Sequence, residues 1–290
     1  PKPPVDRRPT QLSVTRVETL RRDPYAVHVE RILKLAPLEG YGLTEDVASF
    51  GSALHEIVAR FARAHPAGAP PADARERLVA IAREVFASQL EESGFRTLEW
   101  PRVLAILDRY LDWERARRAT LADVEVEKSG ALDLTLDDGA SFKLTARLDR
   151  IDRHAGGTLC VVDFKTGGVP SAAEVEAGFS PQLTLEAAMA ARGAFGPDFA
   201  QGAASGVYVA LKAGEAKETK AGGAKSDFPA LAQAHLDGAR QLLSAYRDPE
   251  TPYLSEPVAA YAPTYSDVAH LARVKEWSAT GGESGEGGEA

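Results

Sequence analysis

The sequence predicts an α+β protein, and three observations predict it. Helical periodicity fills residues 13–120, strand alternation begins at Leu121, and helical patterns return after Ser180. The order is helices, then a small and mostly antiparallel sheet, then helices again.

Residues 1–12 are rich in proline and polar groups and read as a flexible arm. "SVTRVETLRRDPYAVHVERIL" reads as two short helices. Ser13 or Thr15 caps the first, and Asp23-Pro24 fits the N-cap and first turn of the second. "SFGSALHEIVARFARAH" places Leu54, Ile57, Val58 and Phe61 on one apolar stripe. Two longer helices are expected at about 72–93 and 99–119. From Leu121, "ADVEVEKSG", "ALDLTLDDG" and "SFKLTARLDRID" read as three strands, with Asp137-Asp138-Gly139 as a hairpin turn. "LCVVDFKTG" is a buried strand after a turn at 154–157. "SPQLTLEAAMAAR" is a helix with Ser180 as N-cap, and "SGVYVALK" is a further strand. Residues 213–226 read as a mobile loop, about 228–247 as a long helix, and about 266–277 as a short one. The polar, glycine-rich residues 279–290 read as a disordered tail. The domain plan is thus one domain over 13–278, helical over 13–120 and carrying its sheet and later helices over 121–278.

Of the 290 residues 44% are hydrophobic, an ordinary share for a globular chain. The single cysteine, Cys160, rules out an internal disulfide and any four-cysteine metal site built from this chain alone. A reducing, cytoplasmic setting is expected, and no apolar run reaches the length of about 18 residues that a membrane helix needs. The net charge of -8 argues against a broadly basic nucleic-acid surface, yet bases cluster at Arg7-Arg8, Arg21-Arg22 and Arg115–Arg118.

The chemistry concentrates in the sheet. Alternation places Lys143, Thr145, Arg147 and Asp149 on one face of their strand, and Leu159, Val161, Asp163 and Lys165 on one face of the next. If the two strands pair through the 154–157 turn, Asp149 and Asp163 meet near the open end, with Lys165 beside them. Two close carboxylates repel, and a divalent cation removes that cost. Such a cation orients a phosphodiester and activates a water, while the lysine stabilises the charged transition state. A solvated Asp/Lys rim is the plainer alternative for the tripeptide alone.

"GSALHEIVARF", "ARLDRID", "VVDFKTG" and "PQLTLEAAM", in that order, resemble the RecB-type nuclease branch of the PD-(D/E)xK superfamily. "LSVTRVETLRRDPYAVHVERILKLAPLE" and "DVAHLARVKEWS" extend the likeness to the carboxy-terminal region of AddB, a subunit family of bacterial helicase–nucleases, over roughly residues 11–278. The resemblance implies a restriction-endonuclease-like α/β/α core, a central mixed sheet of four or five strands flanked by helices. It implies metal ligation by His55, Asp149, Asp163 and the Phe164 carbonyl. It implies that Lys165 is the motif lysine and that Gln182 lies near the substrate phosphate, so that Asp149, Asp163, Lys165 and Gln182 carry catalysis. Glu127 is an outer-shell acid or simply an exposed strand residue. The implied cofactor is magnesium, with manganese as a substitute. No iron–sulfur cluster is expected, because Asp23-Pro24-Tyr25 stands where many AddB proteins have a cysteine. The implied activity is metal-dependent hydrolysis of single-stranded DNA in double-strand-break repair, beside an AddA-like partner subunit and away from membranes. The chain then reads as a nuclease domain cut from a longer polypeptide. The alternative is a non-catalytic DNA-binding or assembly module with a vestigial nuclease fold, which the acidic balance and the missing aromatic after Gln182 leave open.

Overall fold

The computed structural model describes residues 1–36, 47–214, 216–263 and 266–273. The expected tail at 279–290 and the part of the last helix from 274 on lie outside the described residues.

Strand β1 (Gln11–Ser13) leads into α1 (Val14–Arg22), whose first turn Ser13 caps by accepting from Arg16 N. Next come α2 (Pro24–Val27), α3 (Val47–Ala64), α4 (Ala74–Val85) and α5 (Trp100–Arg118). Strands β2 (Leu121–Thr135), β3 (Ser141–His154) and β4 (Leu159–Lys165) follow, then α6 (Ala172–Glu176) and α7 (Gln182–Ala190). The chain continues through β5 (Ala203–Leu211), β6 (Ala216–Lys220), α8 (Phe228–Ala245) and α9 (Ala269–Ala272). Among the described residues no helix is long and apolar enough to cross a membrane.

The described residues form one mixed sheet of six strands, against the four or five expected, with helices on both sides as the α/β/α expectation requires. One layer, with Leu54, Ile57 and Phe61 of α3 and Tyr110 of α5, packs on Cys160, Val162 and Phe164. The other, with Val17 of α1, Leu183 of α7 and Leu236 of α8, packs on Leu159 and Val161. Burial on both faces explains why β4 reads as a continuous apolar run rather than an alternating one.

Several details differ from the sequence reading. Residues 1–12 are tied down rather than free: buried Arg8 donates to the carbonyls of Pro3, Tyr246, Asp248 and Pro249. The two strands expected over 121–135 are one 15-residue strand, because its ladder to β3 runs unbroken in offset from Asp123↔Arg153 to Thr135↔Ser141. Residues 216–220, expected in a loop, form an edge strand on β5. Helix α7 starts at Gln182 with Pro181 as its cap, and Ser180 Oγ instead accepts from Arg22 Nη2 at 2.6 Å.

The topology around β3 makes the site. Strand β2 occupies one edge of β3 along its length. The other edge is shared by β1, parallel over Gln11↔Lys143 to Ser13↔Thr145, and by β4, antiparallel over Arg150↔Val162 to Arg153↔Leu159. Between Thr145 and Arg150 that edge carries no described strand, so the sheet has a notch. Beyond Val162, β4 leaves β3 and pairs with β5 alone, through Asp163↔Tyr208, Phe164↔Val209 and Lys165↔Ala210. The predicted alternation of β3 holds from Phe142 to Leu148 and then slips. Ile151 joins the core under α1 and α7, whereas Arg150 turns to Glu114 of α5. The slip coincides with a left-handed residue in β2, Glu127 at φ 53°, between the pairs Val126↔Arg150 and Lys128↔Leu148.

Behind the notch lies a buried ionic network. Arg150, with no exposed surface, donates to Asp152 Oδ1 and Glu114 Oε2, both at 2.5 Å; Arg118 and Arg117 complete the pairings of those acids at 2.7 Å. Its pairing fixes β3 to α5 in one register, because breaking one member leaves a buried charge alone.

Candidate active site

Asp149 sits in the notch of β3 and accepts from two groups. Phe164 N donates to its Oδ2 at 3.1 Å, replacing the ladder bond lost where β4 diverges. His55 Nδ1 lies 3.2 Å from the same oxygen. His55 comes from α3, where it flanks the buried stripe and meets Phe164 edge-on with ring centroids 6.2 Å apart. Gly51, one turn earlier, lets α3 approach the end of β4: a Cβ there would stand 2.8 Å from Thr166 Oγ1.

Asp163, on the next strand, is almost wholly buried. Its Oδ2 lies 2.8 Å from Lys165 Nζ, and its Oδ1 accepts from Gln182 Nε2 at 2.8 Å. Lys165 in turn donates to Gln182 Oε1 at 3.1 Å. Gln182 is the first residue of α7, so the helix start fixes both ends of its amide. Asp163, Lys165 and Gln182 thus close a triangle, and His55–Asp149–Phe164 stands against it across the gap between β3 and β4. The structure brings together the six residues that the resemblance marks as ligands or catalytic groups. For Phe164 it shows the amide at Asp149.

The electrostatics follow from burial and crowding. Burial, reinforced by the Asp149 carboxylate and opposed by Lys165, pushes Asp163 up to about 6. Burial alone would lower the His55 imidazole, but its contact with Asp149 outweighs this and the net shift is upward. Burial would likewise lower the Lys165 ammonium, yet Asp163, with Asp149 and Glu18 behind it, holds it above its ordinary value. Lys165 is therefore a cation over the whole physiological range.

Two acids were missed from the sequence. Glu186, fully inside α7 and one turn after Gln182, accepts from Gln182 Nε2 at 3.3 Å. Burial and the carboxylates of Asp163 and Asp149 push it well above the usual carboxylate range. Glu18 of α1 is pushed up to about 7 by burial, against the opposing pull of Arg22 at 3.2 Å. For Glu186 a signal was present, a lone acid in the apolar segment "TLEAAM"; Glu18, in "RVETL", stands among polar residues that do not mark it.

The donor set of two carboxylates, an imidazole and a backbone carbonyl fits a hard divalent cation. As the side chains stand, Asp149 turns to His55 and Asp163 to Lys165. Among the described residues no three His, Cys, Asp or Glu side chains stand at metal-holding spacing.

Residues 11–257 match the PD-(D/E)XK nuclease superfamily, and the chain belongs to that superfamily. Among curated relatives, it is 28% identical over 182 residues to an uncharacterized protein of Rickettsia bellii (strain RML369-C), covering 62% of this chain and 22% of that protein. It is 26% identical over 184 residues to one of Rickettsia conorii (strain ATCC VR-613 / Malish 7), with the same two coverages. The chain thus spans about a fifth of the length of the curated relatives it matches. A solved structure described as the crystal structure of SSO0001 aligns over 79% of this chain and 76% of its own, at 14% identity and a TM-score of 0.30.

Proposed function

We propose that the chain is a metal-dependent deoxyribonuclease domain hydrolysing phosphodiester bonds of single-stranded DNA. The observation that carries this reading is the convergence of His55, Asp149, Asp163, Lys165 and Gln182 on one notch in the sheet.

In this reading Asp149, Asp163, His55 and the Phe164 carbonyl hold magnesium, or manganese in its place. The bound cation supplies Lewis-acid charge and a water of lowered pKa. The remaining work belongs to the chain. Lys165 stays protonated, so it serves as a fixed positive charge and hydrogen-bond donor to the oxygens of the pentacoordinate phosphorus, not as a base. Gln182 holds that ammonium and the Asp163 carboxylate in one orientation. The Phe164 amide fixes the Asp149 rotamer, and the edge of the Phe164 ring limits the tilt of His55.

The likeness of residues 11–278 to AddB supports a finer reading, in which the domain serves a cytoplasmic helicase–nuclease in double-strand-break repair beside an AddA-like subunit. The much greater length of the Rickettsia relatives accords with a domain inside a larger protein.

The test is degradation of end-labelled single-stranded DNA with magnesium and with chelator. Degradation with magnesium alone is expected. Equal degradation in both, or none in either from a folded sample, defeats the proposal and favours a non-catalytic binding module.

A further inference from the structure

A second charged cluster adjoins the notch and takes no part in the triangle around Asp163. Glu127 of β2 accepts from Arg147 Nη2 of β3 and from Arg63 Nη2 of α3. The ladder puts Glu127 between Val126↔Arg150 and Lys128↔Leu148, which is the position across from Asp149. Arg147 precedes Asp149 by two residues on one strand, a separation of about 7 Å. Arg63 follows His55 by two turns of α3, about 12 Å along its axis. The two elements that deliver His55 and Asp149 to the site therefore each deliver an arginine to a common point beside it.

The cluster is a poor stability device. A non-glycine residue held at φ 53° inside a paired strand costs about 1–3 kcal/mol. Each ion pair involves an arginine more than half exposed, 54% for Arg63 and 62% for Arg147. Pairs of that kind return about 0–1 kcal/mol each. The strain and the two pairs roughly cancel, so stability alone does not account for the arrangement.

What it does achieve is placement. The Glu127 side chain, only 19% exposed, is shared by two guanidinium groups, and the local charge is +1 on a chain whose net charge is -8. Each guanidinium has five N–H donors. The hydrogen bond to Glu127 is made through a single terminal nitrogen of each, and more than half of each arginine side chain is exposed. Two such forks, held in advance by one carboxylate, match the oxygens of a phosphate and have little rotamer freedom left to lose on binding.

We infer that Arg63 and Arg147, held by Glu127, bind a backbone phosphate of the DNA strand next to the phosphate in the notch. The offset from Asp149 to Arg147 is comparable with the distance between neighbouring phosphates on an extended strand. The site reads no base; it sets the register of the strand and carries its affinity in salt-dependent form. This inference takes its ligand from the nuclease reading, and its test is a binding measurement that needs no turnover.

The experiment measures fluorescence anisotropy of a labelled oligothymidylate with the chain in chelator, across a salt series. It compares wild type, the double variant Arg63→Gln/Arg147→Gln and the double variant Arg63→Lys/Arg147→Lys. The glutamine variant is expected to bind about tenfold more weakly, with the slope of log K against log salt shallower by about 0.7 for the one phosphate lost. The lysine variant keeps the charge and is expected to recover the slope. Hydrolysis of thymidine 5′-(p-nitrophenyl phosphate), which has no neighbouring phosphate, is expected to be equal in all three. Unchanged affinity and slope in the glutamine variant overturn the inference, as does a wild type that does not bind the oligonucleotide. A wild type that binds with the arginine-dependent slope but hydrolyses nothing upholds the phosphate site and defeats the nuclease reading instead.

Discussion

Replacing Lys165 by methionine keeps most of the stem and removes the ammonium, whose nitrogen stands 5.8 Å from the Tyr208 ring centroid. Two effects follow from the geometry. The first is loss of a pre-placed donor at the reacting phosphate. Removing one such group from a water-poor site costs about 10²–10³ in kcat, or about 3–4 kcal/mol. The second acts through Asp163. That carboxyl stands at about 6 with Lys165 only 2.8 Å away and lowering it, so without the ammonium it rises further. A raised carboxyl keeps its proton against an incoming cation up to a higher pH, so at magnesium below saturation the acid limb of the pH–rate profile moves upward. The assay is the initial rate of single-stranded DNA degradation from pH 5 to 9 at magnesium below saturation, with circular dichroism to confirm the fold. The expected result is a rate at least a hundredfold below wild type and a profile displaced to higher pH. A folded Lys165→Met protein with more than a third of the wild-type rate, or an undisplaced profile, would refute the assignment of charge stabilisation to Lys165.

Two further predictions concern neighbours of the site. Glu18 ionises near 7 in the folded chain against an ordinary 4.5, so the fold favours its protonated form. Its contribution is fully present below 4.5 and is lost as pH rises through 7. At 1.36 kcal/mol per unit the full penalty is about 3 kcal/mol, and about 2 kcal/mol of it develops between pH 5 and 8. Urea unfolding in chelator should therefore show Glu18→Gln gaining about 2 kcal/mol on wild type between those pH values; a constant difference contradicts the buried placement of this acid. Gly51→Val should push α3 from Thr166, cost about 1–3 kcal/mol of stability and lower activity at least tenfold by displacing His55. Wild-type melting temperature and rate in that variant contradict the close approach.

The sequence carried the fold class because the helical and strand periods change sharply at Leu121, and burial on both faces marked β4 as central. It carried His55, Asp149, Asp163, Lys165 and Gln182 as a set because their motifs stand in a fixed order. It did not carry the notch. The notch depends on β1 and β4 sharing one edge of β3; β4 pairs there through a local turn, but β1 comes from more than 130 residues away, a pairing that no local pattern records. The slip in alternation at Glu127 was likewise invisible, since an acid in a strand does not reveal a left-handed φ. The division of "EVEKSGALDL" into two strands after Gly130 does not hold either: Gly130 lies within the strand, where a Cβ would collide with Phe195 and the Ala194 carbonyl. Glu186 and Glu18 went unnoticed because helical position alone does not say which neighbour a buried acid meets.

The measurement that bears most directly on the site is manganese titration, followed by calorimetry and by the loss of the free-ion electron paramagnetic resonance signal. It compares wild type with Asp149→Asn and Asp163→Asn. Saturable binding in the wild type, lost in either variant while the fold is kept, is the result predicted. Binding of equal strength in all three would mean that the two aspartates facing each other across the notch do not share a cation, and the hydrolytic account would fail with them.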